Sequence, residues 1–238
     1  MFLPIRFFSI IILCAFHSAL SLESDRVRKI PNKQCTVAFS SHSFNTLVLQ
    51  GTTCAMTYLG LVAYFDRPRG RLSIDKNFVE ERESQVEGGG LGLYATMPMA
   101  EGTVLGTYPG VLRPAAKFRN KYEEIPKTAT YTWRLTDNRD LIDPTDRNGE
   151  LQNICFGGTP DFPLSYFLHE KLLRNGVPTL LARINEPPIG GGGCNVCSNE
   201  NLETRQVTFA LSRDVYAGEE LFMDYGLTYD RSSYGGGD

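Results

Sequence analysis

The stretch VTFALSRDVYAGEELFMDYG (207–226) decides how this chain is read. Its first residues form a strand: in RQVTFAL (205–211), Val207, Phe209 and Leu211 share a face, because strand side chains alternate. A polar turn follows through Gly218, then two glutamates, then Asp224-Tyr225-Gly226. Three further segments stand out upstream. ARINEPPIGGGGCNV (182–196) sets an asparagine before a glycine-rich loop. YTWRLTDNRDLIDPTD (131–146) is aromatic and then polar, and GLGLYATMPMAEGTVLGTYPG (90–110) begins with G-x-G-x-x-A.

Between these segments the pattern is one of short strands. Residues 103–111 and 130–135 are rich in Val, Tyr and Thr and read as strands beside 205–211. Pro114 opens a helix through about Glu124. A second helix is predicted over 164–174, with Leu164, Phe167, Leu168 and Leu172 on one apolar face. Residues 74–86 read as a short polar helix, ended by Gly88, Gly89 and Gly90. The fold class is therefore mainly β (a β-rich α+β fold), not a doubly wound sheet. G-x-G-x-x-A alone matches a dinucleotide-binding turn, but that needs a buried strand before it and a helix after it. Residues 83–87 are too polar for the strand, and Pro98 and Gly102 interrupt the helix. Glycines here still let a ligand approach the backbone closely.

Taken in order, the four segments resemble the SET domain of protein lysine methyltransferases over about 140 residues. The most specific match is the strand followed by A-x-x-x-D-x-x-x-G-E-E-L and D-Y-G. The resemblance implies small curved β-sheets and a C-terminal pseudo-knot that brings Asn185 and Tyr225 to one site. It implies S-adenosylmethionine as methyl donor and a protein substrate presenting a lysine, with no metal. It places Gly90, Leu91, Gly92, Asn185 and Glu186 at the donor and Tyr225 at the point of methyl transfer. Tyr108, Tyr131, Trp133 and Met223 become the lysine channel. Met223 stands where the family usually has Phe or Tyr and bears on how many methyl groups fit.

The chain departs from the family pattern at several positions. Glu186 replaces the family's His after the Asn, Arg183 lies two rather than three residues before it, and Asn195 is the candidate for the second Asn. Residues 146–181 form an insert expected to contribute to substrate choice. Glu186 and the glycine loop motivate an alternative, a catalytically inactive SET-fold protein-binding module.

The chain has 238 residues and a net charge of −3, so the basic face of a nucleic-acid binder is not indicated. Its six cysteines include one C-x-x-C, Cys194 and Cys197, read as ordinary thiols, a redox pair or part of a zinc site. Residues 1–21 read as a signal-type segment: Arg6, an apolar run over 7–16, then small residues. Residues 22–84 form an N-terminal extension. Within it, 46–65 is as long as a membrane span and is followed by Arg67, Arg69 and Arg71, so membrane association through this region is an open reading. The leader implies entry to the endoplasmic reticulum, with a plastid reached that way or a membrane-anchored form favoured over the nucleus. The SET domain is expected over 85–230, with a mobile tail over 231–238.

Overall fold

The computed structural model describes residues 64–159, 164–187 and 193–226, together with Thr53, Thr57, Tyr58, Gly60, Leu61 and Tyr229. The expected signal segment, most of the 46–65 run and the tail lie outside these. No helix among the described residues is long and apolar enough to cross a membrane.

Strand pairing begins upstream of residue 85. Pro68–Leu72 (β1) and Val79–Glu83 (β2) precede the glycine loop, and Leu91–Ala95 (β3) follows it. β2 and β3 pair antiparallel, from Val79 opposite Ala95 to Glu83 opposite Leu91. The expected boundary at 85 thus falls inside a hairpin. The helix read over 74–86 is also corrected. A 3-10 turn at Lys76–Phe78, capped by the Asp75 carboxylate on the Asn77 N–H, leads directly into β2. The polar VEERE sequence forms a strand because Val79 is buried and the other positions face mostly outward.

The long strand Val104–Pro114 (β4) organises the largest sheet. Helix α1 (Ala115–Glu124) follows it, as Pro114 predicted. Then come Trp133–Arg134 (β5), Asp140–Asp143 (β6), Ile154–Cys155 (β7), Leu164–Phe167 (α2), Val177–Pro178 (β8), Val196–Asn201 (β9) and Gln206–Leu211 (β10). The sheet runs β5-β6-β4-β10-β9, with β1 also on β4, and every pairing is antiparallel. β4 pairs with β10 over 104–107 and with β1 over 106–111, so that Thr107 lies opposite both Arg71 and Thr208. In its second half it serves β6. Gly106 makes the close β1–β4 approach possible: a Cβ there would lie 2.1 Å from the Arg71 carbonyl oxygen. Leu93, Leu105, Leu135, Val207, Phe209, Leu211 and Leu221 are fully buried between these strands.

Two sequence readings are revised here. Only Trp133–Arg134 of the 130–135 run is strand, since Pro126–Tyr131 is a 3-10 turn. The 164–174 segment is helical, an α-turn continued as a π-helix over Leu168–Leu173. It turns the opposite face inward: Leu164, Phe167 and Leu172 are exposed, while Ser165 and His169 are fully buried. Specific polar contacts outweigh the apolar stripe. The Ser165 hydroxyl accepts from the Thr159 N–H at 2.8 Å, and His169 Nδ1 lies 3.3 Å from Asn175 Oδ1.

Asp143, at the end of β6, centres a buried ionic cluster. Its carboxylate accepts from Arg113 Nε at 2.8 Å, Lys121 Nζ at 2.8 Å and the Thr145 hydroxyl at 2.6 Å. Arg113 also donates to the Gly158 carbonyl at 2.6 Å. Burial opposes the Asp143 charge, but Arg113 and Lys121 outweigh it and hold the carboxyl below its ordinary range. A depressed carboxylate adds stability above the unfolded-state value and loses it as pH falls through the folded one. Thermal melts taken from about pH 7 down to about pH 2 should show this acid limb in the native chain. Asp143→Asn should flatten it and destabilise by about 3–5 kcal/mol, because two buried cations lose their counter-ion.

Candidate active site

The site is made by a crossing of chain segments. Residues 219–223 run between β3 and the segments around 185 and 195. On one side Leu221 N–H donates to the Leu93 carbonyl (2.7 Å) and Ala95 N–H to the Glu219 carbonyl (2.9 Å). On the other, Met223 N–H donates to the Asn185 carbonyl (2.9 Å), and Asn195 and Val196 N–H both donate to the Phe222 carbonyl. The Asn195 side chain closes the crossing. Its Oδ1 accepts from Phe222 N–H and its Nδ2 donates to the Glu220 carbonyl, both at 2.8 Å.

This crossing brings Leu91, Gly92 and Asn185 together. The buried Asn185 amide donates to the Leu91 carbonyl at 3.3 Å and to Glu220 Oε1 at 3.4 Å. Glu220, 1% exposed, is the residue that sequence reasoning missed. Its carboxylate also accepts from the Ser84 hydroxyl (2.7 Å), the Gln85 N–H (2.8 Å) and the Tyr94 hydroxyl (2.8 Å). Burial and then Glu220 raise the Tyr94 pKa, keeping that hydroxyl a proton donor. A signal was present: a carboxylate set directly before Leu-Phe-Met is unusual in a buried run.

Gly92 lies against the buried Glu220 carboxylate. A Cβ at 92 would lie 1.9 Å from Glu220 Oε1 and 3.3 Å from Asn185 Nδ2. The sequence reading expects Gly92→Val to remove donor binding with the fold largely intact. The geometry instead couples the two losses, since the branched side chain displaces the Glu220 carboxylate. Overpacking of this kind costs about 1–3 kcal/mol, or roughly 2–12 °C in Tm at this chain length. Calorimetry with S-adenosylmethionine and a thermal melt should fall together. Unchanged stability in the variant would contradict the contact. Gly90 is exposed at φ 63°, and its carbonyl accepts from the Ser84 N–H at 2.9 Å to close the β2–β3 turn.

Tyr225 lies half-buried at the end of the crossing. Its hydroxyl donates to the Ile184 carbonyl at 2.8 Å, one residue before Asn185. Its N–H donates to Glu186 Oε1 at 3.2 Å, so the residue in place of the family's His secures the tyrosine backbone. The Tyr225 ring meets that of Tyr229 edge-on at 4.5 Å. The Tyr108 hydroxyl donates to the Tyr131 carbonyl at 2.5 Å. Burial raises the Tyr108 pKa far above normal, with Asp143, Tyr229 and Tyr131 adding to it, so this phenol stays neutral. Tyr225 pairs with Tyr229, while the Tyr108 ring packs against Trp133 and Phe209 and its hydroxyl reaches the Tyr131 backbone. Trp133 stacks on Tyr108 and Phe209 at 5.5 and 5.6 Å and donates its indole N–H to Glu200 at 2.8 Å. Met223, 2% exposed, packs in the hydrophobic core.

The remaining polar candidates have structural partners. Arg183 pairs with Glu81 at 2.6 Å, tying the 3-10 turn before Asn185 to β2. Cys194 is half-buried and Cys197 exposed, and both are free thiols. Burial raises the Cys194 pKa, with Asp224 and Glu186 contributing, so this thiol resists ionisation. Among the described residues, no group of three or more His, Cys, Asp or Glu side chains is arranged to hold a metal.

Searching curated proteins gave no match. Among solved structures, a humanized mutant of the Chaetomium thermophilum Polycomb Repressive Complex 2 bound to the inhibitor GSK126 is similar at 20% identity. Its TM-score is 0.41, covering 62% of this chain and 15% of that one. ctPRC2 in an autoinhibited conformation bound to S-adenosylmethionine gives 21% identity and a TM-score of 0.42, covering 62% and 15%. An active polycomb repressive complex 2 in the stimulated state gives 20% and 0.42, covering 66% and 16%. The chain therefore spans about 15% of the length of the first two matches and 16% of the third. The SET-domain family model matches residues 90–226, more than half of the chain, including the glycine loop, Asn185, the crossing and Tyr225. The chain belongs to the SET-domain family.

Proposed function

We propose that this chain is a protein-lysine N-methyltransferase, using S-adenosylmethionine as methyl donor and a lysine on a protein as acceptor. One observation carries the reading. The Tyr225 hydroxyl is anchored on the Ile184 carbonyl, and the next residue, Asn185, reaches Leu91 and the Glu220 carboxylate beside Gly92. The transfer point and the donor loop therefore share one short piece of backbone.

The chemistry needs placement more than acid or base strength. S-adenosylmethionine supplies a methyl carbon on a sulfonium. The amine lone pair forms the new C–N bond as the C–S bond breaks, and that electron pair stays on sulfur. Proximity and alignment dominate the rate of such a displacement. Free lysine, with a pKa near 10.4, is a neutral nucleophile in roughly one molecule per thousand near pH 7.4. An apolar channel disfavours the ammonium form, and its released proton leaves to solvent. Tyr225 donates a hydrogen bond to the Ile184 carbonyl, so toward an amine N–H its oxygen acts as the acceptor. The aromatic group around Tyr108 and Tyr131 suits an alkyl stem with a cationic head.

The insert is the candidate for substrate choice, but it is built into the domain. The Gly158 carbonyl binds buried Arg113, the Gly158 N–H donates to Asp66, and Thr179 donates to Asn153. Removing 151–174 would strand Arg113, so that deletion is expected to cost stability as well as substrate selection. Incubation with labelled donor and protein extract, followed by mass spectrometry of modified residues, tests the proposal. Methyl-lysine on a protein supports it. Donor binding without transfer to any protein would favour the inactive module. Failure to bind donor at about millimolar concentration would remove the donor site altogether.

A further inference from the structure

We infer that β1 and the grooves beside it bind an extended acidic peptide of a partner protein, with carboxylates at alternate positions. Arg67, Arg69 and Arg71 recur with a period of two residues. In an extended chain, alternate residues lie roughly 6.6–6.8 Å apart and point to the same side. A peptide strand with every second residue acidic carries charges at that same interval.

The three arginines line adjoining grooves. One, of about 550 Å³, is bounded by Arg67, Arg69 and Asn175. The other, of about 420 Å³, is bounded by Arg71, Thr107 and Thr208. Gly70 and Gln206 are common to both, and the β1–β4 register shifts between Arg69 and Arg71, where the grooves meet, with the extra residue on β4. No carboxylate lines either groove. The ion pairs among the described residues engage Arg82, Arg113, Arg139, Arg183, Arg205 and Arg213, and none engages these three. Arg67 lies over the Tyr64 ring at 4.8 Å, which orients its guanidinium without neutralising it. In a chain with 27 acidic and 24 basic residues, three alternate arginines with no ion pair among the described residues are a local reversal of charge.

The groove chemistry favours a peptide over the other polyanions. Single-stranded nucleic acid is held by base stacking on aromatic side chains, and no aromatic ring lines either groove. A bilayer surface meets flat or convex basic patches, whereas these guanidinium groups line concave grooves beside amide and hydroxyl groups that suit a peptide backbone.

The test is fluorescence anisotropy on the full chain with a labelled heptapeptide of alternating Glu and Ser. The controls are a peptide of equal composition with its Glu residues in one block, and phosphatidylserine-containing vesicles. The alternating peptide should bind at least about fivefold tighter than the block peptide and weaken as salt is added. Arg69→Glu/Arg71→Glu should reduce that affinity at least tenfold, with S-adenosylmethionine affinity unchanged. If the double variant melts early, the exposed-site variant Arg71→Gln should still lower peptide affinity about threefold. Equal binding of the two peptides, full binding by Arg71→Gln, or association with vesicles alone would overturn the assignment.

Discussion

Tyr225→Phe is expected to give a folded protein that still binds S-adenosylmethionine but turns over about a hundredfold or more slowly. The hydroxyl is held by the Ile184 carbonyl, so its direction is set before any substrate arrives. Removing it leaves the ring and its contact with Tyr229 but takes away the acceptor that aligns the amine. The Ile184 carbonyl also loses its hydroxyl partner, which costs about 0.5–1.5 kcal/mol and lowers Tm modestly. Single-turnover rates and donor calorimetry on the same preparation separate the two effects. A fall in turnover with donor affinity nearly unchanged places the contact in the transition state. Full turnover would make Tyr225 a packing residue and end the mechanism proposed for it.

Glu220→Ala should destabilise the protein about as much as Asp143→Asn. Four donors converge on this carboxylate from three separate stretches of chain: Ser84 and Gln85, Tyr94, and Asn185. Truncation leaves Ser84 and the Gln85 N–H without this acceptor and Tyr94 and Asn185 with only the Glu83 and Leu91 carbonyls. The expected loss is about 3–5 kcal/mol, or roughly 6–20 °C in Tm. Donor affinity should fall as well, because Asn185 and the backbone beside Gly92 lose their common anchor. Glu220→Gln keeps the shape and an acceptor oxygen, and should recover most of the stability. Equal damage from Ala and Gln would assign the effect to charge alone, and near-native melts for both would remove Glu220 from the site.

How much of this was legible beforehand differs from residue to residue. Strands 104–114 and 206–211 and the helix after Pro114 follow from alternation and from a proline at a helix start, which act over a few neighbouring residues. The segment at 164–174 misled. Its leucines have helical spacing, but the inward face carries Ser165 and His169, whose partners Thr159 and Asn175 lie outside the pattern. Residues 79–83 also misled. VEERE has no helix-breaking residue, and it becomes a strand only because β3 offers a partner edge.

The sequence by itself determined the family motifs, their order and the side chains available for chemistry, since each motif is a short run whose identity needs no partner. The tertiary structure alone decided that residues 219–223 cross between β3 and the segments at 185 and 195. It also made Glu220 the hub that joins Asn185 to the segment around Gly92 and turned Glu186 onto the Tyr225 backbone. The physical reason is that a buried hydrogen bond between residues 35 or 126 positions apart leaves no periodic trace in the chain. It arises only when the whole fold excludes water from both groups and each must find the other.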